Sequence, residues 1–377
     1  MLLILLILIF IRPFISSLAF PSLNYIYTVC LLTFLIFYFK YRIPPLTKLL
    51  NIKYPLVLFF LAIIISILFS IDKLNSLNVL YEYITALSLF VIAISAGRQD
   101  KMRLVDTIIL SGLVISLLAI YQYFFGFQGL LDYMARQKII QPFALDYISQ
   151  KRVFFPFVTP NILGGYLAMV LPLCLMSKKK ILFILPIALA LLLTRSIGAF
   201  FSLFLGSIIY FSLSRKIRKK EIFFLLAILL ISGFILALRM NTQKQHIQPV
   251  FSTLMRLGYW EDSLKIIQAH PLSGIGLGNF NLSQSRYAHN SYLQIWAEMG
   301  ILGIASLLWL IIAVIKQSLG LLKTNINKLQ TVSLLSANII FLAHNFIDFS
   351  FFLPEVVFLW WVILGAGYYG YPANEAA

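Results

Sequence analysis

The stretch HPLSGIGLGNFNLSQSRYAHNSYLQIWAEMGILG (270–303) joins the end of a long polar segment to the start of a new hydrophobic segment. Most of the remaining chain consists of long apolar runs separated by short basic connectors. Irregular backbone at membrane depth is tolerated only where protein or water surrounds it. We therefore expect any chemistry of this chain to concentrate in this stretch.

The composition around this stretch is that of a membrane protein. Of the 377 residues, 61% are hydrophobic and 11% are charged, whereas a soluble chain carries roughly 25% charged residues. Apolar runs close to the length that crosses a hydrocarbon core recur throughout, without the alternation of barrel strands. The sequence predicts an all-α integral membrane protein with a single polytopic domain over residues 1–377.

About twelve transmembrane helices are predicted, with a large outer loop, residues 239–288, between the ninth and tenth spans. Arg12-Pro13 interrupts the first span, and apolar residues in the outer loop recur at helical spacing over 254–269. The predicted spans are 2–20, 23–39, 54–71, 76–96, 102–125, 160–177, 181–194, 197–214, 221–238, 289–315, 330–347 and 352–370.

Alternate short connectors hold most of the Lys and Arg residues, and this asymmetry orients the bundle. Short basic connectors face the cytoplasm, which places loops 126–159 and 239–288 outside, in the periplasm or extracellular space. The net charge of +17 therefore reflects topology and contact with membrane lipid, and an anionic substrate could use part of it. We predict no nucleic-acid partner.

His289 and Asn290 stand at the outer mouth of the tenth span. His289 could act as a general base, because a neutral imidazole accepts protons near pH 7, or it could simply cap the helix and touch water. Arg195 lies in a tight outer turn between the seventh and eighth spans. It could bind an anion through its planar guanidinium, or it could extend to the membrane interface.

Other polar residues on the same outer side can also be interpreted either as functional or as purely structural. Arg256 and Trp260 share one face of the predicted loop helix and could contact phosphate or anchor the helix at the interface. Arg152 has the same two interpretations. His344 and Asp348 could orient the site, bind acceptor hydroxyls or cap a helix end.

The candidate residues lie on the outer side, with Glu82 as the main exception near the bilayer midplane. A transporter normally needs charges or broken helices at the midplane. The pattern favours an enzyme that uses a lipid-linked phosphate donor, with no metal because no Cys/His cluster or acidic triad is present. A twelve-span transporter or flippase for a lipid-linked glycan and a non-catalytic assembly partner remain alternatives.

Several motifs resemble those of the O-antigen ligase and polymerase superfamily. They are LTRSIGA (193–199), FPFVTPNILGGYLAM (155–169), the Arg256-to-Trp260 pair and the stretch 270–303. The resemblance implies a GT-C-like membrane glycosyltransferase that moves a glycan from an undecaprenyl-diphosphate-linked donor to a glycan or glycolipid acceptor, without metal or cofactor.

The resemblance also implies a location and roles. Such an enzyme works in the bacterial inner membrane with its active site on the periplasmic or extracellular side, and residues 239–288 carry part of that site. Arg195 and Arg256 would bind the diphosphate, and His289 would take the acceptor proton. Asn290, Arg152, Trp260, His344 and Asp348 are expected to support the site. Ligases and polymerases share these motifs, so the alternative remains a polymerase with the same chemistry.

Overall fold

The structure, a computed structural model, describes residues 1–42, 46–136, 142–214, 218–240, 249–323 and 327–368. Within these ranges all regular secondary structure is helical, which confirms the predicted all-α class. The helices are α1 (Leu2–Ile11), α2 (Pro21–Tyr41), α3 (Lys53–Leu68), α4 (Lys73–Ser95), α5 (Arg98–Tyr121), α6 (Phe127–Arg136), α7 (Pro142–Ser149), α8 (Pro160–Val170), α9 (Lys180–Thr194), α10 (Ile197–Ser214), α11 (Lys219–Met240), α12 (Pro249–Ala269), α13 (Ser291–Leu322), α14 (Lys328–His344) and α15 (Pro354–Ala366).

Every predicted span overlaps one of these helices, but not all of them are long enough to cross a membrane unaided. By length and composition, seven helical segments of the described residues qualify as membrane spans. They are Pro21–Tyr41, Thr47–Leu68, Lys73–Ser95, Arg98–Arg136, Ile197–Ser214, Lys219–Met240 and Ser291–Leu322. Shorter apolar helices account for most of the other predicted spans, so the count of twelve stays a prediction.

The first predicted span, 2–20, is the clearest difference. Helix α1 ends at Ile11, and a 3₁₀ turn follows over Arg12–Phe14. The side chain of Arg12 is buried and forms an ion pair of 3.5 Å with Glu355 at the start of α15. A buried guanidinium needs such a partner, and Pro13 lacks the backbone N–H that a continuing helix would use.

The segments predicted as outer loops contain helices of their own. Residues 126–159 include α6 and α7, and the helix predicted over 254–269 is observed as α12, Pro249–Ala269. Residues 241–248 of the predicted loop 239–288 lie outside the described residues. Helix α12 packs against α13, so this part of the chain lies on the helical bundle.

Helix α13 is interrupted at Gly300, whose φ of 66° belongs to the left-handed region. The loop before α13 fills the break. Ile275 N donates to Ala297 O at 2.9 Å, Gly276 N to Glu298 O at 3.0 Å, and Ile301 N to Pro271 O at 2.9 Å. These bonds satisfy backbone groups that a broken helix leaves unpaired. The glycine-rich loop over residues 271–276 is therefore hydrogen-bonded to the backbone of α13 at the break.

Helices α8, α10 and α14 approach one another closely at small residues. A Cβ at Gly164 would lie 2.9 Å from the Cβ atoms of both Ser196 and Ala199, and Gly206 of α10 lies directly against Ile340 of α14. Small residues allow helix backbones to approach in membranes, where lipid removes the hydrophobic preference for association. The close packing brings the turn between α9 and α10 next to the end of α14.

Candidate active site

His289 lies in the loop immediately before α13, and its φ of 51° is left-handed. The helix cap is the next residue, because the side-chain oxygen of Asn290 accepts hydrogen bonds from Tyr292 N at 3.0 Å and Leu293 N at 3.2 Å. Asn290 therefore satisfies the first N–H groups of the helix. The side chain of His289 does not serve as this cap.

The ring of His289 is held by aromatic contacts. It stacks on Tyr259 of α12, with 5.8 Å between ring centroids, and meets Phe349 edge to face at 4.8 Å. Within the described ranges, neither ring nitrogen has a hydrogen-bond partner. Burial lowers the pKa of His289 to about 4, an effect that the charge of Asp348 opposes and that of Arg256 reinforces. At pH 7 the imidazole is neutral and able to accept a proton.

Arg195 and Arg256 approach this site from different elements. Arg195 ends α9 in a left-handed conformation, with φ of 49°, at the tight turn that the sequence predicts. Arg256 projects from α12, one turn before Trp260. Both side chains are half-buried, and neither forms an ion pair or hydrogen bond with any residue that the structure describes. The charges of both arginines act on Arg152, and the charge of Asp348 acts on Arg256, so this region holds more positive than negative charge and suits a bound anion.

Arg152 has a different environment. Its side chain is 2% exposed, donates to Thr194 O at 3.0 Å and Asn161 Oδ1 at 3.1 Å, and lies over the Tyr147 ring. Burial, and after it the nearby charge of Arg239, lower the pKa of Arg152 to about 9. Because Thr194 immediately precedes Arg195, these hydrogen bonds hold the turn that presents Arg195. This geometry is that of a positioning residue.

Arg239, at the end of α11, lies in the same region as Arg152 and Arg256, and the sequence analysis did not identify it. Its charge acts on Arg152, and the pKa of Arg256 is also lowered by burial within the same region. Arg152 in turn responds to the charges of Arg195 and Arg256, so four arginines share one region. The sequence did hold one signal for Arg239. A basic residue at the predicted outer end of a span departs from the usual excess of Lys and Arg on the cytoplasmic side.

His344 and Asp348 form a buried pair beside this region. The His344 Nε2 and Asp348 Oδ2 atoms are 2.9 Å apart, and both residues are 2% exposed. Asp348 Oδ1 accepts from Phe349 N at 2.7 Å. Burial alone would raise the pKa of Asp348, but its hydrogen bonds with His344 and with Phe349 N hold that pKa below the usual range. The pair fixes Phe349, which contacts His289, and is too buried to meet an acceptor hydroxyl directly.

The end of α14 and the start of α13 are joined by hydrogen bonds. Ser291 N donates to Asn345 O at 2.9 Å, and its hydroxyl donates to Asn345 Oδ1 at 2.7 Å and Asp348 O at 3.2 Å. The position of His289 relative to Asp348 is therefore set by several hydrogen bonds.

The indole N–H of Trp260 is buried without a hydrogen-bond partner among the residues described.

The structure thus brings several of the predicted site residues into one region. Arg152, Arg195, Arg256, His289 and Asp348 are close enough for their charges to act on one another, either directly or through a shared neighbour. Sequence reasoning missed Arg239, Tyr147, Tyr259 and Phe349, because aromatic residues and a single Arg are ordinary in membrane helices. Across the described ranges, no three His, Cys, Asp or Glu side chains group as a metal site would require.

Comparison with known families agrees with the motifs. The family model described as O-antigen ligase matches residues 181–308, which include Arg195, Arg256 and His289 but not Arg152 or Asp348. A comparison with curated proteins gives no match. The match supports an enzyme of the O-antigen ligase or polymerase type that works in a membrane. Residues 181–308 are therefore similar to the O-antigen ligase family, as the motifs predicted.

Proposed function

We propose that the protein is a membrane glycosyltransferase that transfers a glycan from an undecaprenyl-diphosphate carrier to an acceptor sugar at the outer face of the inner membrane. The observation that carries this proposal is that the charge of Arg256 acts on His289, while the charges of Arg195 and Arg256 both act on Arg152. Among the described residues neither Arg195 nor Arg256 forms an ion pair or hydrogen bond, and neither ring nitrogen of His289 has a hydrogen-bond partner. The family match at residues 181–308 supports the same class of enzyme.

The proposed reaction needs one base and one stabilised leaving group. His289 takes the proton from the acceptor hydroxyl, the acceptor oxygen bonds to the anomeric carbon of the donor, and the bond from that carbon to the diphosphate oxygen breaks. The departing diphosphate gains negative charge at this moment. Guanidinium groups held near the departing diphosphate stabilise its negative charge more in the transition state than in the bound substrate. Proton transfer by a positioned histidine adds a further contribution.

The arginines suit a diphosphate for a geometric reason. A guanidinium presents planar paired donors that match phosphate oxygens, and partial burial removes competing water. Arg195 and Arg256 come from α9 and α12, and the charges of both act on Arg152, so a ligand in this region could be held from two helices. Arg152 and Arg239 add positive charge around the same region.

The test is transfer by the purified protein in lipid vesicles, with undecaprenyl-diphosphate glycan as donor and a panel of acceptors. We expect His289→Ala to lower transfer by about 100-fold or more and Arg256→Ala and Arg195→Ala by roughly 100-fold each. Arg103→Ala is the matched control. That arginine is exposed, pairs with Asp100 in the first turns of α5 and should be dispensable.

The identity of the acceptor that yields product distinguishes ligase activity from polymerase activity. Full transfer by His289→Ala would remove that residue from the mechanism. If no acceptor gives product and the protein instead moves the donor between leaflets, the transporter alternative replaces this proposal.

A further inference from the structure

Asn161 lies beside Arg152 and the turn of Arg195, and the proposed reaction gives it no role. It stands in the first turn of α8 and is partly exposed. Its side-chain oxygen accepts hydrogen bonds from Arg152 Nη2 and from the Ser196 hydroxyl, each at 3.1 Å. Ser196 follows Arg195 directly in the chain, so the Asn161 side chain is fixed next to the residue that presents this arginine.

The bond to Arg152 decides which way the amide group of Asn161 faces. A guanidinium only donates hydrogen bonds, so the Asn161 atom that meets Arg152 must be the oxygen. The amide nitrogen, with its two N–H groups, forms the other arm of the side chain. Over the described ranges this nitrogen has no hydrogen-bond partner, and it is not among the fully buried polar atoms. Asn161 therefore keeps two donors available to a ligand.

The groups around this amide nitrogen are positively charged. One is the guanidinium of Arg152, which is bonded to Asn161 itself. The charges of Arg195 and Arg256 act on the same guanidinium. Guanidinium groups have no acceptor, so none of them can receive a hydrogen bond from the amide. An anion satisfies both kinds of group, because its charge attracts arginines and its oxygens accept N–H donors.

The local fold does not depend on Asn161 alone. Arg152 Nε donates to Thr194 O at 3.0 Å, and Ser196 N donates to Thr194 Oγ1 at 3.2 Å. These bonds hold Arg152 and Ser196 at Thr194 whether or not residue 161 has an amide. A substitution at position 161 can therefore remove a ligand contact and leave the turn folded.

We propose that the side-chain amide of Asn161 donates a hydrogen bond to an oxygen of the diphosphate that the arginines bind. The identity of this anion as the donor diphosphate rests on the proposed function, although anion binding by Asn161 does not. The oxygen of Asn161 then orients Arg152 and Ser196, while its nitrogen contacts the ligand. This assignment also gives a binding residue to the stretch FPFVTPNILGGYLAM (155–169), within which the sequence analysis singled out none.

The first test measures binding without transfer. Isothermal titration calorimetry follows inorganic pyrophosphate as it binds the purified protein in detergent micelles. Asn161→Ala should raise the Kd about tenfold, the loss expected when one hydrogen bond to a charged group is removed. Asn161→Asp keeps an oxygen for Arg152 and Ser196 but has no N–H group. It should raise the Kd by about tenfold or more and unfold at or above the wild-type temperature.

Each variant removes one competing explanation. Alanine adds no charge, so weak binding by Asn161→Ala is not electrostatic repulsion. Ser196→Ala loosens the turn but leaves the amide nitrogen in place, and its Kd should stay within about twofold of the wild-type value. Asn78→Ala is the matched control, because Asn78 is an exposed asparagine on α4, and it should bind like the wild type.

Three results would overturn the proposal. They are wild-type binding by Asn161→Asp, a loss in Ser196→Ala as large as that in Asn161→Ala, and the absence of pyrophosphate binding by the wild type. The second result would reduce Asn161 to a residue that only holds the turn.

The transfer assay separates this proposal from the proposed function. Asn161→Asp should lower kcat/KM for the donor about tenfold and leave the KM for the acceptor nearly unchanged. Weaker pyrophosphate binding by the Asn161 variants, without transfer to any acceptor by the wild type, would preserve the anion contact and remove the enzymatic function. Transfer by both Asn161 variants with the wild-type kcat/KM for the donor would preserve the enzymatic function and remove Asn161 from the donor site.

Discussion

Gly165 offers the sharpest test of how the site is assembled. This residue of α8 faces the ring of His344, and a Cβ at position 165 would lie 3.0 Å from Cγ of His344 and nearer still to its Cδ2 and Nε2 atoms. Real Cβ atoms do not approach a ring this closely, so the Gly165→Ala variant must displace the histidine. His344 is 2% exposed, and its ring therefore has no open space to enter.

The displacement has a cost that can be worked from the contacts. The hydrogen bond between His344 and Asp348 is 2.9 Å, and a ring shift of about 1 Å lengthens it beyond the range of a hydrogen bond. Overpacking costs about 1–3 kcal/mol, and loss of a buried bond to a charged group costs about 1.5–3 kcal/mol. We expect Gly165→Ala to lower the free energy of unfolding by roughly 3 kcal/mol or more.

Activity should fall with stability, because Asp348 positions Phe349, which contacts His289. A misplacement of about 1 Å in a catalytic arrangement can lower the rate by about 100-fold. We expect transfer by Gly165→Ala to fall roughly 10- to 100-fold at temperatures where the variant stays folded.

The assay pairs thermal unfolding in detergent with transfer in vesicles. Gly233→Ala is the matched control, because Gly233 lies in α11 with nothing near its Cβ position. Alanine there should stabilise the helix by about 0.5–1 kcal/mol. If Gly165→Ala unfolds at the same temperature as the wild type and transfers glycan at the same rate, the packing of α8 on His344 does not matter and the reasoning fails.

Three further predictions concern α13 and the loop before it. Because the pKa of His289 is about 4, kcat/KM should stay constant from about pH 8 to about pH 5, and a fall with a midpoint near 6.5 would contradict the burial of the ring. Gly300→Ala should lower the thermal midpoint of unfolding strongly, since a Cβ there meets the Leu272 carbonyl at a φ of 66°, whereas Gly320→Ala in the same helix meets nothing and should not. Asn290→Ala should lower the free energy of unfolding by about 1 kcal/mol, and Asn290→Asp should retain the cap; equal thermal midpoints for both would refute the capping role.

The helical class was predictable because each apolar run carries its own signal. Long stretches without charge must be helical in lipid, since every backbone group needs an internal partner. The tight turn at Arg195 and the helix over Pro249–Ala269 follow from equally local patterns. The first span, 2–20, was predicted too long because a buried ion pair between Arg12 and Glu355 supports a break that hydrophobicity alone does not mark.

The candidate site was predictable only in part. Motifs identified Arg195, Arg256 and His289 as residue types suited to a lipid-linked diphosphate, and the O-antigen ligase family match spans all three. Arg239 was missed because a single arginine at a helix end resembles an ordinary interface residue. Arg152 was predicted as a possible anion contact, but its bonds to Thr194 and Asn161 show a side chain already occupied.

The sequence by itself determined that the chain forms apolar helices with a polar, glycine-rich stretch before α13, since hydrophobic runs, caps and glycine turns act over a few residues. Only the tertiary structure decided that Arg152, Arg239 and Arg256 share one region and that His344 is buried against Gly165. It also brought Phe349 against both Tyr287 and the ring of His289. These arrangements depend on how closely distant helices approach, and that distance is set by the packing of small residues from separate parts of the chain.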